Sequence, residues 1–276
     1  MKLTNIEDKA DRTKTYLLHN DLNIYTSLST LVLNISEACN RKCSFCPRGN
    51  GYVSPKDRPT FMPDNILDKI IEQTDGKFKG TYSISGFGEP TLHPLMNKLI
   101  ERLNKTSGHT SVITNGFNKE IIKNCHADKI AISVYNKDDM KNFSHYSFPS
   151  NVSFKKQYEK DNTFFNNRAG NVKTSNTIPN TCCYITFMKL TIDTNGDILQ
   201  CCSDWKREYV LGNIVTDDIW TIWKDKLKND RINLIAERRN ECTLCSKCDA
   251  PGNLYGKEFM NFWRSYYGEN AICTKK

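Results

Sequence analysis

The chain has 276 residues, long enough to bury a core without disulfides and somewhat short of two average domains. Lys plus Arg is 39 against 31 Asp plus Glu, a formal charge of +8, and the 11% aromatic content excludes a disordered chain. No apolar run reaches the roughly 18 residues of a membrane span, and the N-terminus shows no apolar signal region, so a reducing, cytoplasmic setting is expected.

Residues 1–30 are polar and show no clear period. The stretch Thr30–Ser36 is short, apolar and followed by a loop, which predicts a buried strand. The loop 37–60 carries three cysteines and ends in Pro- and Gly-rich sequence. A helix start is expected at Met62-Pro63-Asp64, with Ile66, Leu67, Ile70 and Ile71 at helical spacing. Strands are then expected at 81–85, 110–114, 129–134 and 152–156, and helices near 94–104 and 118–124. The polar stretch after 134 also has helical character. Strand–helix repeats of this length imply right-handed crossovers and a parallel sheet, whose functional loops lie at the carboxyl ends of the strands. Beyond about residue 160 the rhythm changes. Residues 188–192 and 197–200 flank Asn195-Gly196 as a hairpin, and a helix is expected over about 216–228. An aromatic helix over 254–267 closes the chain. The organisation expected is an extension (1–30), a barrel (31–165) and a C-terminal module (166–276).

Twelve cysteines in a chain read as intracellular suggest metal or redox chemistry rather than a disulfide framework. Cys39-Asn-Arg-Lys-Cys43-Ser-Phe-Cys46 is a CxxxCxxC directly after the first strand. Three thiolates on one loop can hold three irons of a cubane and leave the fourth open, where an ordinary cubane has four cysteines. Zinc prefers paired ligands with a distant second pair, which this spacing does not supply.

This loop resembles the signature of the radical S-adenosylmethionine (SAM) family, with Phe45 at the aromatic position before the third cysteine. The resemblance implies an α/β fold, a partial (β/α)6 TIM-type barrel, with a [4Fe–4S] cluster on Cys39, Cys43 and Cys46 and SAM on its open iron. It further implies a 5′-deoxyadenosyl radical that abstracts hydrogen from the substrate. Ser85-Gly86-Phe87-Gly88-Glu89-Pro90 resembles the family's GGEP motif, with Phe87 where a second glycine is common. Gly86, Phe87, Gly88 and Glu89 are thereby implied to bind the cofactor, Gly88 and Glu89 at the SAM ammonium. Thr114-Asn115-Gly116 resembles a strand end that approaches the cofactor, and Ser133 stands where the family often places a ribose contact. Strand-end capping is the other reading of Thr114, Asn115 and Ser133.

The C-terminal half resembles the SPASM/Twitch extension of radical SAM proteins, a hairpin plus helix that carries iron–sulfur clusters. Cys183 and Cys201 bracket the hairpin, Leu211-Gly-Asn-Ile214 follows, and Cys242-x2-Cys245-x2-Cys248-Asp249 ends the module. The CxxCxxxxxCxxxC run usual in two-cluster forms is absent. The resemblance therefore implies one auxiliary [4Fe–4S] cluster on Cys183, Cys201, Cys245 and Cys248. Cys242 with Cys245 is an alternative pair, and a zinc ribbon an alternative metal site. Four thiolates would close the cluster, making it an electron conduit. Cys125, Cys182, Cys202 and Cys273 are left as small buried hydrophobes.

Asn166-Asn-Arg168-Ala-Gly170 resembles the NRxG segment of single-auxiliary-cluster dehydrogenases that act on aminocyclitols. Carried over, Arg168 contacts a substrate hydroxyl and assists deprotonation of the carbon radical. The implied reaction is oxidation of a secondary alcohol, with the auxiliary cluster taking one electron. Peptide maturation competes, although the segment before the first strand is shorter than the leader-binding domain many such enzymes carry. Nucleic-acid modification is suggested by the +8 charge, but Lys and Arg are dispersed, which disfavours it. An anionic small substrate such as a phosphosugar fits the charge equally. The expected partners are that substrate and a reductant such as flavodoxin or ferredoxin, with no membrane. His93, His109, His126 and His145 are not spaced as ligands, and Tyr135, Tyr184 and Trp205 read as cavity lining or core.

Overall fold

The structure, a computed structural model, describes residues 7–156, 166–252 and 255–268. Eight strands form one sheet in the order β5-β4-β3-β2-β1-β6-β7-β8. They are β1 (Thr30–Leu33), β2 (Thr81–Ile84), β3 (His109–Thr114), β4 (Lys129–Val134), β5 (Val152–Lys156), β6 (Lys189–Ile192), β7 (Asp197–Leu199) and β8 (Val210–Asn213). The first six are mutually parallel, and β7 and β8 join antiparallel. This is the α/β fold of a partial TIM-type barrel extended by a C-terminal module.

Register explains why the sheet holds. Ile192, Leu33, Ile84, Val112, Ile130 and Val152 pair in one row across six strands. All six are buried, and each such side chain contributes roughly 1.5–3 kcal/mol by leaving water. The helices α2 (Asp64–Thr74) and α3 (Met96–Leu103) cover this row. In α3 the buried residues Met96, Leu99, Ile100 and Leu103 recur at helical spacing on one face. Neighbouring positions on the other face are small and polar, with Ser83 opposite Ser111 and Ala131 opposite Ser153. The short helices α4 (Lys119–Lys123) and α5 (Lys137–Ser144) are N-capped by the side chains of Asn118 and Asn136.

Three features differ from the sequence expectation. The polar first thirty residues contain α1 (Glu7–His19), held by Tyr16, whose hydroxyl donates to the Thr26 carbonyl at 2.8 Å. The hairpin strand β6 does not stand apart but pairs with β1, because Leu190 and Ile192 extend the apolar rows and cover an otherwise open sheet edge. The helix expected over 216–228 is three pieces: α6 (Ile219–Thr221), a π-helical turn (Ile222–Lys226) and α7 (Lys228–Ile235). Trp223 in that turn donates to the Ser27 hydroxyl at 3.0 Å, and Arg231 lies between the rings of Trp223 and Trp263 of α8 (Lys257–Tyr267). Among the described residues no helix is long and apolar enough to cross a membrane. Cys273 lies outside the described residues.

Candidate functional site

The CxxxCxxC loop leaves β1 and is latched by the loops that follow β2, β3 and β4. The Glu89 amide donates to the Ala38 carbonyl at 2.7 Å, and Asn115 Nδ2 donates to Asn40 Oδ1 at 2.8 Å. Phe45 stacks on Tyr135 at 5.8 Å, while Arg41 pairs with Asp139 at 2.9 Å. Gly88 packs so closely on the chain before Cys39 that a Cβ would lie 2.0 Å from the Ser36 carbonyl oxygen, so only glycine fits. Cys39, Cys43 and Cys46 are half-buried. Burial raises the Cys39 thiol, and burial followed by the Cys46 thiol pushes Cys43 up to about 11.

Glu89 is buried at the centre of these latches. Its Oε1 accepts from the amide and hydroxyl of Thr91 and from the Thr114 hydroxyl, and its Oε2 accepts from the Asn115 amide at 2.7 Å. The carboxylate thus braces the ends of β2 and β3, with lone-pair capacity left on Oε2. Ser133 is also buried, at the end of β4 before Tyr135. Gly86 and Phe87 lie in the same loop. The Phe87 ring, however, is turned away into a cluster with Leu199 and Trp205, beneath the Arg207 guanidinium at 3.9 Å. Its amide donates to Asn34 Oδ1 and its carbonyl accepts from Arg48 at 2.6 Å, so Phe87 acts as a strut.

A buried charge network continues from this strut. Glu37 accepts from Arg48 and Arg207, and Asp193 accepts from Arg207 at 2.8 Å and from Arg58 at 3.1 Å. Asp197 pairs with Arg58 at 2.7 Å. Burial works against the ionised Asp197 carboxylate, but hydrogen bonds from Asn195, Asn213 and Arg58 outweigh it and hold its carboxyl below the usual range. A cavity of about 490 Å³ opens beside this network, lined by Pro47, Asn50, Tyr52, Asn171, Trp205 and Lys206. Trp205 therefore serves both as core and as cavity wall, whereas Tyr184 packs on the main core.

In the second cysteine group, Cys201 and Cys248 pack in one small cluster with Ala169 and Leu244. The carbonyls of Cys248, of Cys245 and of Thr181, which stands two residues before Cys183, all accept from the Arg239 guanidinium. Cys242 is also buried, with its thiol on the carbonyls of Asp230 and Arg238. Burial raises the Cys183 and Cys245 thiols, and the hydrogen bond with Cys202 raises Cys201. Asp249 latches the Asn166–Gly170 segment to this group. Its Oδ1 accepts from the Asn167 amide at 2.6 Å, its amide donates back to Asn167 Oδ1 at 3.2 Å, and its Oδ2 accepts from Thr174. Arg168 and Ala169 take left-handed backbone conformations, and the Arg168 charge acts on Cys202.

Thiol-only donor sets suit iron–sulfur chemistry. Among the described residues no three His, Cys, Asp or Glu groups stand close enough for a single metal ion. Zinc draws its thiolates to about 2.3 Å from one centre, whereas a cubane spreads its ligands over several irons. Cys39, Cys43 and Cys46 would leave one iron of a cubane open, and Cys183, Cys201 and Cys245 with Cys248 or Cys242 supply thiols enough to close a second one. Sequence reasoning missed Glu37, Asn34, Arg48, Arg207 and Arg239. Arg48, two residues after Cys46, could have been suspected from its place. Nothing in the local sequence marks Arg207 or Arg239.

Residues 33–139 match the family model of the radical SAM superfamily, and residues 182–249 match SPASM, an iron–sulfur cluster-binding domain. No curated protein matches the chain by sequence. Among solved structures it is similar to BtrN in complex with AdoMet and 2-DOIA, with a TM-score of 0.70 and 20% identity, covering 81% of this chain and 94% of that one. Streptococcus suis SuiB bound to precursor peptide SuiA gives 0.55 and 16%, covering 90% and 76%. Native anSMEcpe with bound AdoMet gives 0.51 and 14%, covering 89% and 100%. At these identities the likeness is one of fold.

Proposed function

The chain belongs to the radical SAM superfamily and carries a SPASM iron–sulfur domain, and on that premise we propose that it oxidises a secondary alcohol on a sugar- or cyclitol-type small molecule. It is a SAM-dependent iron–sulfur enzyme, with a [4Fe–4S] cluster in the radical SAM domain and a further cluster in the SPASM domain. When bound, SAM and the first cluster supply a hydrogen-abstracting radical, and the auxiliary cluster supplies an acceptor for one electron.

The chain's own residues do the rest in this reading. Cys39, Cys43 and Cys46 hold the first cluster; Gly86, Gly88, Glu89, Thr114, Asn115 and Ser133 shape the SAM site, with Phe45 and Phe87 as its props. Cys183, Cys201, Cys245 and Cys248 hold the auxiliary cluster. Arg168, on a segment tied to Asp249, offers a fixed cation to a substrate hydroxyl and favours loss of its proton. The observation that carries the reading is the tie of the Arg168 segment, through Asn167, to Asp249 at the end of the iron–sulfur cluster-binding domain. A hydrogen abstraction that returns its electron to the radical carrier needs no second acceptor, whereas an oxidation to a ketone does. The likeness to BtrN, whose structure holds 2-DOIA, supports a cyclitol-type substrate. A second reading, peptide modification, is supported by the likeness to SuiB bound to a precursor peptide. An external donor such as flavodoxin or ferredoxin reduces the first cluster in either case.

Iron per chain after anaerobic reconstitution tests the core of this proposal. The wild type is expected to hold about eight irons and the Cys39→Ala/Cys43→Ala/Cys46→Ala variant about four. Four falling to none would remove the electron acceptor and with it the alcohol oxidation. Substrate class is read separately, by deuterium transfer to 5′-deoxyadenosine from C-deuterated aminocyclitols or from peptides. Transfer from peptides alone would favour the second reading.

A further inference from the structure

Arg239 is 1% exposed and ion-pairs with no carboxylate among the described residues. The nearby acid Glu241 pairs instead with Arg238 at 3.4 Å. The three recorded bonds of the Arg239 guanidinium all go to backbone carbonyls: Cys248 at 2.8 Å, Cys245 at 3.2 Å and Thr181 at 3.4 Å. Two of these belong to residues of the auxiliary ligand set, and the third lies two residues before Cys183. The guanidinium therefore sits under the turn that carries the thiols.

A buried cation without an anion is strongly destabilising, and neutral carbonyls compensate only part of that. Four thiolates around a cubane leave a net negative centre in this place, and reduction adds one more negative charge. We infer that Arg239 is the built-in counter-charge of the auxiliary cluster and holds its reduction potential high enough to accept the substrate's electron. The inference rests on the reading that Cys183, Cys201, Cys245 and Cys248 hold a cluster that acts as acceptor. In that step the substrate radical loses one electron to the cluster and its hydroxyl proton to water, leaving a ketone. A fixed positive charge favours the more negative redox state and so raises the potential, the more so where water is excluded. Arg231 is equally buried, but it lies between two Trp rings and none of its recorded bonds reaches a cysteine.

The test uses the full chain with Cys39, Cys43 and Cys46 changed to Ala, so that only the auxiliary cluster is read. Each variant is reconstituted anaerobically, assayed for iron and titrated by electron paramagnetic resonance. Arg239→Gln is expected to keep about four irons and to shift the oxidised-to-reduced ratio at fixed potential about tenfold toward oxidised, ~59 mV for a one-electron couple. Arg239→Lys should bring the ratio back to within about threefold of the parent, and Arg238→Gln should leave it unchanged. An Arg239→Gln protein that holds its iron at the parent's ratio overturns the inference, as does a loaded Arg239→Lys that restores nothing. If Arg239→Gln loses iron while Arg239→Lys holds it at the parent's ratio, the charge is required, as inferred. Loss of iron from both overturns it, since the fork alone would then hold the turn. A parent that holds no iron refutes the auxiliary-cluster reading itself, before Arg239 is in question.

Discussion

Glu89 shows how much one buried carboxylate can hold. Four donors from three residues converge on it, and two of those residues, Thr114 and Asn115, lie 25 and 26 positions along the chain. Gln in its place would turn an acceptor into a donor facing donors, leaving buried groups unpaired at roughly 1–3 kcal/mol each. Glu89→Gln is therefore expected to lower the apoprotein's stability by about that amount and to weaken SAM binding at least about tenfold, as read by thermal unfolding and calorimetric titration. Weakened binding with unchanged stability would mean that the brace is idle and that only direct contact with the cofactor matters. The motif made Glu89 legible as a cofactor residue, because the Gly-Phe-Gly-Glu-Pro spacing is local. Its bracing role was not legible, because the partners lie on another strand end. Phe87 is the converse case, a residue read as part of the SAM loop whose ring the fold turns toward the C-terminal module.

Among the elements, the parallel strands were the most legible. Short apolar runs bounded by Gly, Pro and Asn state their own limits, and β1 to β5 fall where the pattern puts them. The first helix was hidden because α1 is mostly polar and exposed, with Tyr16 as its anchor against the Phe259 ring at 6.3 Å. The β6–β7 hairpin was legible from Asn195-Gly196, but its pairing with β1 is a long-range fact that no local pattern carries. The turn of that hairpin also holds a titratable device. Asp197 has its folded-state acidity strengthened by Asn195, Asn213 and Arg58, so its stabilisation is present above the unfolded carboxyl range and fades as pH falls through the folded one. Replacing Asp197 with Asn removes that contribution. The Tm of Asp197→Asn apoprotein should lie below wild type at pH 7, and the gap should close as the pH is lowered below about 4. A gap that stays constant down to about pH 3 would show that Arg58 does not stabilise the ionised form.

At the scale of the whole molecule, two kinds of bond make the cluster-bearing halves one body. The sheet runs through both, since β6 extends β1 on the edge opposite β2. The buried network crosses the same boundary, with Arg207 reaching Glu37 across 170 positions of sequence. That separation is why the network was invisible to sequence reading, while Cys39-x3-Cys43-x2-Cys46 and Cys242-x2-Cys245-x2-Cys248, each compact in sequence, were not. Arg207 touches both halves at once: Glu37 and Phe87 on one side, Asp193 and the Trp205 carbonyl on the other. Removing it leaves two buried carboxylates sharing Arg48 and Arg58. Breaking a buried pair by deleting one partner typically costs about 3–5 kcal/mol. Arg207→Met should therefore lower the Tm of the apoprotein sharply while unfolding remains a single transition, because the β1–β6 ladder still joins the halves. Scanning calorimetry on wild type and variant reads both quantities. A single transition in wild type that splits into two in Arg207→Met would show that the network, and not the sheet, couples the two clusters' housings. Two transitions already in wild type would mean that the halves fold independently, and the distance between the two clusters would then be set by neither.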